Sequence, residues 1–296
     1  MCDAEKGICE MPLAAAVANG FDVAPQEKPV KIIYFTDPIC SSCWGIEPQL
    51  RKLKLEYGND IEFEYRMGGL LPDWSYNSGG ISKPSDVAPH WEEASHYYNM
   101  PIDGDVWLTD PLHSSYPPSI AFKAAQLQDA DKAISFLRIL REMVFMQKKN
   151  ITRWEYIEAA AVTAGLDPHV LKDDFENKAP DLFEEDLALG RQLGVRGFPS
   201  VFITNREGNV ELVYGTKAYS VFENALTAIC PAVVKCNYDK DAMALFAKYP
   251  TLTRREFAEL SQVTLPEALA VLDNGVRGGM LGTFVTKNGA LWMRNK

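Results

Sequence analysis

VKIIYFTDPICSSCW, residues 30–44, is the stretch that decides the fold. Its first seven residues are rich in β-branched and aromatic side chains, as in a strand buried on both faces, and Asp37-Pro38 ends that strand. From Cys43 onward the apolar residues recur at a spacing near 3.6, which predicts a helix that ends at Gly58. The residues that set this spacing are Ile46, Leu50, Leu53 and Tyr57. The two cysteines are therefore predicted to lie where a strand passes into a helix.

The Cys40-x-x-Cys43 pair opens this predicted helix. Free backbone N–H groups and the positive end of the helix dipole stabilise a thiolate, so we expect Cys40 to have a lowered pKa and to act as the nucleophile. Cys43, one turn later, would resolve a mixed disulfide by attacking its sulfur. Two buried structural thiols or half of a zinc site are the alternatives. Ser41-Ser42, which offers neither charge nor histidine, favours a less oxidising pair.

The other elements predict an α/β protein with a thioredoxin-like fold and a helical insertion. A second strand is expected at 61–65, strands at 201–204 and 210–214 flank a hairpin turn, and a helix at 219–229 follows. The insertion spans about 85–190, with helices predicted at 86–99, 119–127, 132–148, 152–164, 167–177 and 180–193. Thr152 and Glu155 are spaced as a capping box for the fourth of these helices. The unit as a whole is predicted to cover residues 30–236.

The segment Arg196-Gly197-Phe198-Pro199-Ser200 stands just before one of these strands. In thioredoxin-like proteins a cis proline faces the active cysteines, and the backbone beside it pairs with an extended substrate. We therefore predict a cis Pro199 and a substrate-binding region made of Pro199, Phe198, Trp44 and Pro38. The alternative is an ordinary trans proline at the start of a strand.

Residues 240–296 are predicted to form a separate, small, winged-helix-like domain. A helix is expected at 243–249, and two more begin with the capping pairs Thr253–Glu256 and Thr264–Glu267. Strands at 283–286 and 290–293 surround Lys287-Asn288-Gly289, a hairpin signal. Residues 241–296 hold seven Lys and Arg against five Asp and Glu. A protein that reads DNA usually shows a denser basic stripe, so no nucleic-acid partner is predicted.

The composition is that of a globular protein. The chain has 296 residues, of which 47% are hydrophobic and 24% charged, and its net charge of −10 disfavours general binding to nucleic acids or anionic membranes. No apolar run reaches the length of a membrane-spanning helix, and residues 1–29 resemble an irregular arm rather than a secretory signal. The sequence therefore predicts a cytoplasmic protein without a membrane partner.

The remaining cysteines and the histidines give weaker signals. Cys230 and Cys236 fit a linker disulfide or ordinary burial better than catalysis, and the four histidines stand far from Cys40. Cys2 and Cys9, in the arm, are candidates for a metal clamp or a redox-sensing pair, and unpaired thiols are the alternative. No glycine-rich phosphate loop follows a strand, and we predict no cofactor.

Several segments resemble DsbA-family proteins of the FrnE-like branch. The similarity begins at Asp37-Pro38-Ile39-Cys40-Ser41-Ser42-Cys43-Trp44 and continues through Asp103-Gly104-Asp105-Val106-Trp107 and residues 121–128. It extends through Lys148-Lys149-Asn150-Ile151-Thr152 to Gly282-Thr283-Phe284 in the tail. Within that branch the chain is most similar to the YjbH/SpxH group, adaptors that present the regulator Spx to the ClpXP protease.

This resemblance implies a DsbA-like fold with a C-terminal winged-helix-like domain, and it leaves two functions open. The first is a cytosolic thiol–disulfide oxidoreductase or isomerase acting on protein thiols, disulfides or extended peptides. The second is an adaptor for ClpXP in which the cysteines act as a redox switch. A glutathione-dependent isomerase needs no resolving thiol, so Cys43 argues against it. Adaptor members carry a Cys/His-rich, zinc-linked arm, whereas this arm has Cys2 and Cys9 and the first histidine of the chain is His90.

Overall fold

A computed structural model describes residues 2–3, 7–10, 28–75 and 81–295 of the chain. Its central sheet has the strand order β4-β3-β6-β7. These strands are β3 Val30–Thr36, β4 Ile61–Met67, β6 Ser200–Asn205 and β7 Val210–Tyr214. β3 is parallel to β4 and antiparallel to β6, and all seven of its residues are buried, as its apolar composition predicts.

Three helices flank this sheet. They are α1 Ser41–Gly45, α2 Glu47–Tyr57 and α10 Tyr219–Ile229. The single helix predicted from Cys43 is divided at Ile46 because Pro48 has no N–H to donate to the carbonyl four residues earlier. The predicted order β-α-β, helical block, β-β-α is present.

Seven helices between β4 and β5 (Gly197–Phe198) form the insertion. They are α3 Pro84–Tyr98, α4 Val106–Thr109, α5 Tyr116–Gln128, α6 Ala130–Met146, α7 Trp154–Ala164, α8 Pro168–Glu176 and α9 Ala179–Gln192. The capping box predicted for α7 is wrong. Arg153 is the N-cap and makes no side-chain cap, because the Thr152 hydroxyl bonds to Asn150 instead.

Asp186 ties the insertion to the sheet. This carboxylate is fully buried on α9 and accepts hydrogen bonds from Arg66 (2.7 Å) and from the backbone N–H of Met67 (2.9 Å), both on β4. Lys123 of α5 adds an ion pair at 2.9 Å. Two cations and a backbone donor offset the cost of burying the carboxylate.

The C-terminal residues form a second hydrophobic cluster with a three-stranded sheet of order β8-β10-β9. Its elements are α11 Ala242–Lys248, β8 Thr251–Thr253, α12 Arg254–Ser261, α13 Leu265–Arg277, β9 Leu281–Thr286 and β10 Gly289–Arg294. The capping boxes predicted for α12 and α13 are both present. The sequence did not predict β8, whose three residues are too few to show a period.

Buried ion pairs join this C-terminal cluster to the rest of the molecule. Glu256 of α12 is fully buried and accepts two hydrogen bonds from Arg138 of α6, at 2.7 and 3.0 Å. Arg51 of α2 lies 3.1 Å from the same carboxylate. Further pairs link Lys52 to Glu259 and Lys287 to Glu92.

The N-terminal arm contains two short strands, so the expectation of an irregular arm is wrong for the described residues. β1 (Cys2–Asp3) pairs with β2 (Ile8–Glu10), and β2 pairs with β5 in an antiparallel ladder. The physical reason is the unsatisfied edge of β5, whose backbone groups are available to an extended segment. Among the described residues no helix is both long and apolar enough to cross a membrane.

Candidate functional site

The dithiol lies at the start of α1, as predicted. Cys40 is the N-cap residue, and its sulfur accepts a hydrogen bond of 3.1 Å from the backbone N–H of Cys43. Both cysteines are free thiols and both are fully buried. A sulfur in this position replaces the oxygen that usually caps a helix.

Asp37 holds the turn that brings the chain from β3 into α1. Its carboxylate accepts hydrogen bonds from the backbone N–H groups of Ile39 (3.0 Å) and Leu70 (2.8 Å) and from the Ser115 hydroxyl (2.7 Å). Burial raises the pKa of Asp37 to about 6, although these three bonds act to lower it. The turn before the cysteines is thus bound to the segment that follows β4 and to the insertion.

Arg141 is a buried cation close to the dithiol. It comes from α6, is 1% exposed, and donates to Glu47 and to the Thr36 hydroxyl, each at 2.5 Å. A further bond of 3.3 Å reaches the carbonyl of Asp37. The guanidinium therefore connects the end of β3, the start of α2 and the turn between them.

The acidities of the two thiols differ from the sequence-based expectation. Burial raises the pKa of Cys40, and the neighbouring Cys43 sulfur adds to this effect, so the predicted lowering at Cys40 is wrong for this closed state. Burial acts in the same direction on Cys43. There, however, the Cys40 thiol as hydrogen-bond donor and the charge of Arg141 together hold the pKa below its usual value. Desolvation outweighs the helix dipole at Cys40, and the buried cation favours the charge on Cys43.

Pro199 follows a cis peptide bond after Phe198. Phe198 and Gly197 form β5, which pairs with β2 of the arm, and β2 in turn contacts α1. The structure therefore brings the Pro199 segment and the dithiol helix together around one strand of the arm.

The other predicted substrate-binding residues have no exposed side chain. Trp44 is fully buried: its indole N–H donates to the Pro101 carbonyl at 3.1 Å and its ring stacks on Phe145. Phe198 is also fully buried and leaves no room for a Cβ at Gly68, while Pro38 is buried as well. These three side chains belong to the core, and the insertion covers Trp44 through Pro101 and Phe145. Of Phe198, only the backbone lies at the strand edge.

Of the remaining cysteines, Cys9 lies on β2, with its backbone opposite Phe198 of this site. Cys230 and Cys236 are partly buried free thiols, so the structure contains no linker disulfide between them. The backbones of Cys2 and Cys9 are directly opposite each other in the β1–β2 ladder. The metal prediction for their side chains lies outside the described residues.

Sequence reasoning missed Asp37 and Arg141 as parts of the site. The only signal for Arg141 is a charged residue on the apolar face of a helix, and its partners are about a hundred residues away in the chain. It also missed a cleft of about 380 Å³ beside α1 that is lined by Gly45, Gln49, Tyr98, Thr216, Arg255 and Leu265, among others. This cleft lies between the dithiol helix and the C-terminal cluster.

Comparison with known proteins identifies the family. The family model described as Thioredoxin matches residues 34–224. The ClpXP adapter protein SpxH of Halalkalibacterium halodurans is 35% identical over 222 residues, which cover 74% of this chain and 71% of that protein. The SpxH proteins of Shouchella clausii and Bacillus subtilis are 35% and 32% identical, over 76% and 68% of this chain and 73% and 67% of their own lengths.

Solved structures confirm the fold. The cytosolic disulfide reductase DsbM from Pseudomonas aeruginosa has a TM-score of 0.55 at 19% identity, covering 67% of this chain and 99% of its own. A 2-hydroxychromene-2-carboxylate isomerase has a TM-score of 0.50 at 15% identity, covering 68% and 96%. Since these two share the fold and differ in chemistry, the fold alone does not decide an activity. The chain belongs to the thioredoxin family and, within it, to the family of the SpxH adapter proteins.

Proposed function

We propose that this protein is an adaptor that binds an extended segment of a regulatory protein and presents it to the ClpXP protease. The observation that carries this proposal is the identity of 35% with proteins named ClpXP adapter, over about three quarters of both chains. The regulator proposed as cargo is Spx, and the compartment proposed is the cytoplasm, where that protease would meet it.

The closed dithiol supports a binding function over turnover. Cys40 has no exposed surface, and burial raises its pKa, so it is held as a protonated thiol that cannot attack a disulfide. A catalytic nucleophile needs the thiolate and access to its target. In the state described, the site has the parts of an oxidoreductase in a closed arrangement.

The C-terminal cluster supports the same proposal. We propose that residues 240–296 form a winged-helix-like domain and that residues 30–236 form the DsbA-like domain. Glu256 is buried between Arg138 and Arg51, which couples the two units, so a partner could contact both at once. The cleft beside α1 runs along this junction and offers space for side chains of the partner.

The test is reconstituted proteolysis. The rate at which purified ClpXP degrades Spx is measured with and without this protein. We expect the protein to raise that rate about tenfold or more, because tethering raises the effective concentration of the substrate at the protease. The Cys40→Ser/Cys43→Ser double variant should accelerate degradation equally. An unchanged rate with the wild-type chain, together with no binding to either component, would contradict the adaptor proposal.

A second candidate is thiol–disulfide exchange, favoured by the free Cys40 and Cys43 pair at the start of a helix. A Cys40 thiolate would attack a protein disulfide, forming a mixed disulfide and releasing one thiolate. Cys43 would then attack the Cys40 sulfur, so that the dithiol is oxidised and the substrate reduced by two electrons. Insulin reduction by the wild type, abolished in Cys40→Ser, and mixed disulfides trapped by Cys43→Ser would support it. No turnover and an empty trap would exclude it.

A further inference from the structure

The arm strand β2 occupies the edge next to Pro199. Its backbone pairs antiparallel with β5, with Cys9 opposite Phe198 and Glu10 opposite Gly197. An extended peptide that binds a sheet edge makes the same kind of ladder, with main-chain hydrogen bonds as the common element. The chain thus places its own residues where a partner segment would add a strand.

A specific contact anchors this strand at its start. The carbonyl of Gly7 accepts hydrogen bonds from the backbone N–H of Thr216 (2.5 Å) and from its hydroxyl (2.9 Å). Gly7 has φ +66°, and a Cβ there would lie 2.7 Å from the Cβ of Thr216. The next residue, Ile8, is 6% exposed. Only glycine fits at position 7, and the arm is held at one defined register.

The strand also lies against the dithiol helix. β2 contacts α1, whose N-cap is the fully buried Cys40. The segment 7–10 therefore covers the β5 edge and lies against the helix that the dithiol opens.

We propose that residues 7–10 are a displaceable strand that closes the partner-binding edge, so that an extended partner segment binds only when the arm is released. This inference rests on the proposed function for the identity of the partner, but the closure itself does not depend on it. The partner then binds only the fraction of molecules whose edge is open, and its apparent affinity is lowered in proportion to that fraction. Short tethers give local concentrations in the millimolar range, so even a three-residue strand competes effectively.

The test measures how fast iodoacetamide alkylates Cys40, with the modified residue located by peptide mass spectrometry. Gly7→Val adds a β-branched side chain at a positive φ and against Thr216, so it should release the arm and raise the rate about tenfold or more. Gly208→Val is the matched control, because Gly208 also has a positive φ, +80°, but has no neighbouring atom within 4 Å of a Cβ. Its rate should stay within about twofold of the wild type.

A second variant protects the test against misfolding. Deletion of residues 2–10 removes the arm without adding a side chain, and it should raise the alkylation rate as Gly7→Val does. Cys9→Ser should keep the slow wild-type rate, because the proposed closure uses the backbone of β2. Wild-type rates in both Gly7→Val and the deletion, or a fast rate in Cys9→Ser, would overturn the inference.

The two proposals fail in different ways. Faster alkylation without any acceleration of Spx degradation would leave the closure standing and exclude the adaptor function. Unchanged alkylation with full acceleration of degradation would exclude the closure and leave the adaptor function standing.

Discussion

At the scale of single residues, Asp37 gives the clearest pH dependence. Burial raises its pKa in the folded state to about 6, against an ordinary value of 3.8. Between these values the folded chain keeps a proton that the unfolded chain has lost. The free energy of unfolding therefore decreases as the pH rises through this window and levels off above it.

Between pH 4 and pH 7 we expect the free energy of unfolding of the wild type to fall by up to roughly 3 kcal/mol relative to that of Asp37→Asn, since one pKa unit corresponds to about 1.4 kcal/mol. Urea denaturation of both proteins at each pH measures the difference. The free energy of unfolding of the wild type relative to Asp73→Asn should not fall over this pH range. The reason is that hydrogen bonds from Ser75 hold the pKa of exposed Asp73 below its usual value. If the free energy of unfolding of the wild type relative to Asp37→Asn rose with pH, the raised pKa of Asp37 would be contradicted.

Arg141 is the second residue whose removal is informative. Arg141→Met would remove the guanidinium that bonds to Glu47 and to the Thr36 hydroxyl, leaving Glu47 with Arg51 at 3.7 Å. Loss of one member of a buried pair costs about 3–5 kcal/mol. Arg141→Met should also raise the pKa of Cys43, whose lowering depends in part on this charge.

The ultraviolet absorbance of the thiolate, followed against pH in a variant whose other five cysteines are serine, measures the pKa of Cys43. Arg141→Lys is the control: it should lose stability, because an ammonium cannot reproduce the guanidinium bonds, yet keep most of the lowered pKa. If Met and Lys at this position gave the same Cys43 titration, the charge of Arg141 would have no influence on the thiol.

At the scale of elements, α12 and α13 begin with the same capping box in two environments. Glu267 is exposed and bonds only within its own cap, whereas Glu256 is fully buried and also pairs with Arg138 and Arg51. The two helices therefore separate the contribution of a cap from that of a buried ion pair.

We expect Glu267→Gln to cost less than about 1 kcal/mol, because glutamine keeps the cap geometry at an exposed site. Glu256→Gln should cost about 3–5 kcal/mol, because the buried carboxylate that pairs with two buried guanidinium groups loses its charge. Chemical denaturation of the two variants gives both values. Similar losses at the two positions would show that the buried pair adds nothing to the cap.

At the scale of the whole molecule, buried charges join the two hydrophobic clusters in addition to apolar contacts, which Leu291 of β10 makes with the larger cluster and Leu55 of α2 with the smaller one. Arg138 and Arg51 come from the larger unit and Glu256 from the smaller one, all of them buried. If the two clusters separated, these buried groups would lose their ion pairs. We therefore expect the two clusters to unfold together.

Hydrogen exchange measures this coupling. In the wild type the amides of β10 and β3 should show similar opening free energies. In Glu256→Gln those of β10 should exchange about tenfold or more faster than those of β3, a difference of about 1.4 kcal/mol. Glu267→Gln, which leaves the junction intact, should leave the opening free energies of β10 and β3 similar to each other. Separate opening in the wild type would show that the units are independent.

What the sequence determined by itself is local. β3 followed from seven consecutive residues with strand composition, and α12 and α13 followed from Thr and Glu at capping distance. These patterns suffice because the composition of a strand and the capping of a helix are properties of residues that lie close together in the chain. The position of Cys40 at a helix start followed in the same way.

What only the tertiary structure decided is the state of the site. Cys40 was expected to carry a lowered pKa from its helix, yet its burial has the opposite effect, and that burial depends on segments far away in the chain. Neither the charge of Arg141 near Cys43 nor the pairing of β2 with β5 has a local signature. Desolvation and long-range strand pairing depend on which distant residues pack together, and no local sequence pattern specifies that packing.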